Sequence, residues 1–186
     1  MKKQNRQWII IGGSILALIL ISSTSATAGD LEALSYIDDP DATSGMQRNN
    51  PGNIVAGTGY QGEIQTGSRF ATFKSWVYGI RAMIVLLTKY ITKGSSSPND
   101  CVNSPQNTIR DIVNQYSPKK SCKGDNEDSK VDAYVDYVAS RTGIDPDQEI
   151  EATQANLRAI VKAMARFEQG VECVTDAQFN YAYQLV

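Results

Sequence analysis

The chain has 186 residues, 41% of them apolar, with 18 basic and 20 acidic side chains and no histidine. That is enough apolar material for one domain with a real core and too little for two, and without a block of like charge no nucleic-acid partner is expected. The missing histidine excludes an imidazole general base, Ser-His-Asp and Cys-His arrangements and any His-containing zinc site, so proton transfer falls to carboxylates.

In chain order, Lys2, Lys3 and Arg6 precede the apolar run "WIIIGGSILALILI" at 8–21 and then "SSTSATAG". This is the order of a secretory signal, with Ala26 and Ala28 in the A-x-A positions and cleavage expected before Gly29. The run is short of the ~20 apolar residues of a spanning helix; an uncleaved membrane tether through residues 8–21 is the alternative. Either way the body is expected outside the cytoplasm, periplasmic or held at the inner membrane. In that oxidising compartment three cysteines leave one thiol over. Cys101 and Cys122 flank a loop-rich insertion and are expected to pair, with pairs involving Cys173 left open.

Residues 29–45 read as a linker with a short helix at 30–37 and turns at Pro40 and Gly45. Alternating runs at 60–65 and 69–73, around Thr66-Gly67-Ser68, predict a small β-hairpin. Ser75 stands where an N-cap belongs, and Ile80, Met83, Ile84, Leu87 and Ile91 continue at helical spacing as far as Gly94. A shorter helix is expected over 108–116. Another carries Val131, Tyr134, Val135 and Val138, with Asp128 or Ser129 as its cap and Gly143 as its stop. The last long helix runs over 153–169, and the aromatics of "FNYAYQLV" are expected to pack back on the body. The class is α+β, mainly helical.

That last long helix carries an anomaly. Its apolar stripe runs through Leu157, Ile160, Val161 and Met164, and the next position is Glu168, in "MARFEQG". The C-terminal end of a helix carries partial negative charge and disfavours a carboxylate; burial beside Phe167 and Met164 disfavours the charged form further. Both effects push the acid towards staying protonated. A protonated acid is what glycosidic cleavage requires, because the departing sugar oxygen takes up a proton as its bond breaks.

"RFEQG" resembles the catalytic-acid helix of lysozyme-like muramidases and lytic transglycosylases. "QRNNPGNI" at 47–54, "YQGE" at 60–63, "RFATF" at 69–73, "YGIRAM" at 78–83, "TIRDIVNQYSP" at 108–118 and "YVDYVASRTGIDPD" at 134–147 follow one another in the order of a second, more specific resemblance. Together they resemble a family of virion and prophage proteins with an R-N-N-N-P-G-N-I signature, often called structural protein P5 and read as lysozyme-like lytic proteins. The likeness covers residues 46–170, and the lysozyme-like domain is placed at 46–186. The chain departs from that pattern at several points. "SWVYG" lacks the usual acid, Tyr116-Ser117-Pro118 replaces Trp-Ala-Pro, "KKSCKG" lengthens the next loop, and Phe167-Glu168-Gln169-Gly170 replaces His-Glu-Asn-Gly. Because the acid-bearing helix comes last, the resemblance implies a circularly permuted lysozyme-like arrangement.

The implied activity is cleavage of the β-1,4 bond between N-acetylmuramic acid and N-acetylglucosamine in peptidoglycan strands, with no cofactor and no metal. Glu168 is the acid. Glu63 on the hairpin is the candidate second carboxylate. Asn49, Asn50, Asn53, Gln61 and Tyr116 are candidate substrate-binding residues, with the turn around Pro51-Gly52 a competing role for at least two of the asparagines. One working carboxylate favours a lytic transglycosylase, and two favour a hydrolytic muramidase. A non-catalytic virion structural or peptidoglycan-binding protein of the same fold is the remaining alternative, and virion components are candidate partners.

Overall fold

A computed structural model of the chain describes residues 26–64 and 67–186. The expected signal core and the tether at 8–21 lie outside the described residues, and so does Thr66 of the expected turn. No helix among the described residues is long and apolar enough to cross a membrane.

Six α-helices and one two-stranded antiparallel sheet make up the fold: α1 (Ala28–Ala33), β1 (Glu63–Ile64), β2 (Thr72–Phe73), α2 (Trp76–Lys93), α3 (Ile109–Tyr116), α4 (Asp128–Thr142), α5 (Gln154–Gln169) and α6 (Asp176–Gln184). The mainly helical α+β class follows. Helix α2 is the centre: ten of its eighteen residues are buried, from Trp76 to Ile91, and α1, α3, α5, α6 and β2 all pack against it. A helix buried on so many sides needs apolar residues around most of its circumference. Its run from Trp76 through Ile80, Met83, Ile84 and Leu87 provides them, with Phe73, Leu157, Ile160, Met164 and Phe179 completing the core. Helix α4 packs against α3 and α5 and contributes Val131, Tyr134, Val135 and Val138.

The helix ends follow local chemistry. Thr108 and Thr153 each accept a hydrogen bond from the N–H three residues on, and Gly143 and Gly170 close α4 and α5 with φ near +70°. Ser75 is the N-cap of α2, yet its hydroxyl is buried without a partner. The Leu34 carbonyl instead accepts from the Trp76 N–H at 2.8 Å, satisfying one of the orphan donors of the first turn. Asp128 is not a cap of α4: Glu127 holds that position without a side-chain bond, and the Asp128 carboxylate accepts from the Ser121 N–H of the preceding turn.

The expected hairpin exists in shortened form. Glu63 faces Phe73 and Ile64 faces Thr72, while the rest of the second run pairs elsewhere, Val55 bridging Phe70 and the Ala71 N–H donating to the Ile54 carbonyl. The glycines at 57, 59 and 62 all have positive φ, so the first run turns away before it can form a longer ladder.

The stretch read as a linker packs on the body. Glu32 accepts from the Tyr78 and Tyr181 hydroxyls, and the Tyr36 ring meets Trp76 edge-on with centroids 5.0 Å apart. The C-terminal aromatics pack inward as part of α6, opened by a Thr175–Gln178 capping box and anchored by Phe179. Cys101 and Cys122 are joined across 21 residues, and the half-buried Cys173 is free, its thiol pushed up to about 12 by burial. Replacing both bridged cysteines by serine is expected to cost about 3 kcal/mol through the larger entropy of the unfolded chain. Chemical denaturation with an unchanged slope and a lower midpoint is the expected reading, and an unchanged midpoint would contradict it.

Candidate functional site

The site is assembled where the end of α5 meets the loop "GMQRNNPGNI". Asn49 and Asn50 are both 0% exposed. The Asn49 amide donates to the Ser35 hydroxyl and the Phe73 carbonyl and accepts from the Tyr36 N–H. The Asn50 amide donates to the Ile54 and Ala71 carbonyls and accepts from the Ile54 N–H. Every polar atom of both amides is spent inside the protein, so neither is available to a sugar acetamido group. The substrate-binding assignment of Asn49 and Asn50 gives way to loop support; their short side chains supply the bonds a buried loop cannot supply from its own backbone.

Asn53 differs. Its positive φ carries the amide to the end of α5, where Nδ2 donates to Glu168 Oε2 at 2.9 Å. Gln169 holds the same junction: its amide donates to the Asn50 and Pro51 carbonyls and its oxygen accepts from the Thr43 hydroxyl. Gln169 is 5% exposed and was not singled out in the sequence; its adjacency to Glu168 and its exposure-averse position before Gly170 were the available signals. The Tyr116 hydroxyl donates to the Gly52 carbonyl, tying the C-terminus of α3 to the same loop.

Glu168 closes the buried stripe of Leu157, Ile160, Val161 and Met164. Burial raises its pKa above the ordinary carboxylate value, and hydrogen bonding from Asn53 and from Tyr134 opposes that shift. The Tyr134 ring is 2% exposed and stacks on Phe167 with centroids 3.8 Å apart. Its hydroxyl lacks a fully formed hydrogen bond, though it is close enough to favour the Glu168 carboxylate form. Burial, followed by the charge of Glu168, pushes the Tyr116 and Tyr134 phenols well above their usual values, so both remain proton donors at neutral pH.

Two depressions adjoin this junction. One, of about 360 Å³, is lined by Ser117, Asn126, Lys130, Tyr134, Phe167 and Glu168 among others. The second, of about 150 Å³, is lined by residues including Asn53, Val55, Tyr60, Tyr90 and Tyr116. The Asn53–Glu168 hydrogen bond therefore joins the wall of one depression to the wall of the other, and the consecutive residues Tyr116 and Ser117 do the same.

No protein-family model matches the chain, and no curated protein matches it either.

Glu63, the candidate second carboxylate, is held by its own loop. Oε1 accepts from the Gly57 N–H at 2.6 Å, and Oε2 accepts from the Gly59 and Tyr60 N–H groups and the Thr58 hydroxyl. Four donors converge on one carboxylate, and Glu63 lines neither depression. Gln61 is exposed at the turn into β1 and makes no hydrogen bond to the Glu168 group. Among the described residues Glu168 is the single carboxylate in the walls of the two depressions. Of the residues singled out from sequence, Glu168, Asn53 and Tyr116 come together, while Glu63, Gln61, Asn49 and Asn50 serve or occupy the surrounding loops.

Proposed function

We propose that the domain cleaves the glycan strands of peptidoglycan as a lytic transglycosylase, with Glu168 as its single general acid and base. The observation that carries this reading is a carboxyl group kept towards its protonated form by burial, held by an amide donor, and opening onto a cavity with no second carboxylate in its wall. A hydrolase of the usual kind needs two carboxylates at defined spacing; Glu63 is engaged with four loop donors instead.

The chemistry follows from one acid. Protonated Glu168 gives its proton to the oxygen linking the muramoyl C1 to the next sugar, and that C–O bond breaks with oxocarbenium character at C1. The resulting carboxylate, favoured by Asn53 and Tyr134, takes the proton of the muramoyl 6-hydroxyl as its oxygen bonds to C1. The product is a 1,6-anhydro end, and Glu168 returns to its protonated state without water being consumed. The tyrosines of the smaller depression, Tyr60, Tyr90 and Tyr116, offer faces and hydroxyls suited to sugar rings.

The same reading makes the fold lysozyme-like with its acid-bearing helix permuted to the end. It places the domain outside the cytoplasm, where the wall lies, delivered by the N-terminal export segment or carried with virion components. The test is mass spectrometry of products after the full chain meets purified peptidoglycan. Anhydromuropeptides support the transglycosylase, reducing ends replace it with a muramidase, and tight binding without release replaces it with a binding module.

Because the acid must be protonated to act, activity is expected to fall as pH rises through the raised pKa of Glu168. Asn53→Gly keeps the positive φ without strain and removes a bond that favours the carboxylate. Its alkaline limb is expected to move to higher pH. A limb that moves down or stays in place would mean that Asn53 does not hold the acid during catalysis.

A further inference from the structure

The larger depression contains more than the acid. Lys130, in the first turn of α4, lines it together with Ser117, Asn126, Tyr134, Phe167 and Glu168. Neighbouring charges are already matched: Lys119 pairs with Asp132 at 2.5 Å, Lys120 with Glu127, and Arg69 with Asp125. Asp128 accepts from Ser121. Among the described residues Lys130 forms no ion pair, so its ammonium is the uncompensated charge of the cavity wall.

Two further observations indicate a ligand. Phe167 is 39% exposed although its ring stacks on Tyr134 and touches Tyr137, leaving one apolar face to the cavity side. The Tyr134 hydroxyl is buried in the same wall without a hydrogen-bond partner, a condition that costs free energy unless a partner arrives. An apolar ring face, an orphaned hydroxyl and a free cation beside an acid together suit a sugar ring that carries a carboxylate.

We infer that the cavity between α4 and the end of α5 is a subsite for the acidic muramoyl unit, Lys130 pairing with its carboxylate and Phe167 lying under its ring. This rests on the glycan-cleaving reading and adds to it a reason for selecting muramoyl strands over neutral chitin-like ones. The carboxylate has two sources in the polymer, the lactyl group of a denuded strand and the stem peptide of a substituted one. A charge-assisted hydrogen bond serves either.

The test compares binding to the full chain of three probes: N-acetylglucosamine, N-acetylmuramic acid, and muramic acid whose lactyl group is amidated by a short acidic peptide. Nuclear magnetic resonance titration is run for the wild type, Lys130→Gln and Lys130→Arg. At least one of the two acidic probes is expected to bind more tightly than N-acetylglucosamine. Lys130→Gln should weaken that probe about tenfold, leave N-acetylglucosamine unchanged, and be largely rescued by Lys130→Arg. The acidic probe that responds identifies the source of the carboxylate. Equal binding of all three sugars, equal losses on Lys130→Gln, or no measurable binding of any would overturn the subsite. Binding of monosaccharides needs no turnover, so a chain that releases nothing from peptidoglycan but keeps the Lys130-dependent preference loses the enzymatic reading and retains the subsite.

Discussion

Glu168→Gln is expected to lower release of anhydromuropeptides from peptidoglycan by ~10²–10⁴-fold, the usual contribution of a positioned general acid, while leaving the protein folded. Glutamine has nearly the same shape and keeps an oxygen able to accept from Asn53, so the contact that ties the signature loop to α5 survives. What it lacks is the transferable proton. Stability gives an independent reading. Burial raises the folded pKa of Glu168 above its ordinary value of 4.5, so in the interval between those values the folded state binds more protons than the unfolded state. Stability contributed by this group therefore falls as pH rises through that interval, and the deficit persists above it. Glutamine removes that slope: the variant should unfold at an equal or higher temperature at neutral pH and lose part of the pH dependence below it. A variant that stays folded and retains full activity would remove Glu168 from the mechanism and make Glu63 the next acid to replace.

Much of this site was legible because it breaks a pattern. A stripe of Leu157, Ile160, Val161 and Met164 predicts an apolar residue at 168, and the acid found there is what burial and the helix end both oppose. The helices were legible for the opposite reason, since their periodicity, threonine caps and terminal glycines agree. What escaped depends on partners distant in sequence. "QRNNPGNI" does not reveal which asparagine faces inward, because three similar amides in eight residues differ only in backbone direction; the loop's path sends two into its own interior and one to Glu168. Glu63 looked catalytic as an acid on a hairpin, but the glycine-rich turn before it exposes N–H groups that its carboxylate collects. Lys130 looked like one more surface lysine, and only the ion pairs around it leave its charge free. Helix α6 was overlooked as a helix because its aromatics drew attention, although Thr175 and Gln178 mark its start as a capping box.

Gly79→Ala is expected to destabilise the domain by about 3 kcal/mol, the upper part of the usual range for forcing atoms into a packed interior. Helix propensity alone predicts the opposite sign, because alanine is better than glycine inside a helix by about 1 kcal/mol. The difference lies in what sits on α2 at that point. A Cβ at residue 79 would lie 1.9 Å from the Asn49 carbonyl oxygen and 2.7 Å from Pro51 Cδ. The first obstacle is backbone, which no rotamer change can move aside. Relief requires the loop to lift from α2, and that loop carries the bonds of Asn49 and Asn50, the Gln169 clamp and the Asn53 amide that meets Glu168. Loss of stability should therefore come with loss of activity, in a variant whose catalytic acid is chemically intact. Denaturant unfolding and product release measured on the same preparation test both halves. A variant stabilised by alanine, or one destabilised with undiminished turnover by its folded fraction, would show that the loop does not depend on close contact with Gly79 to hold the site together.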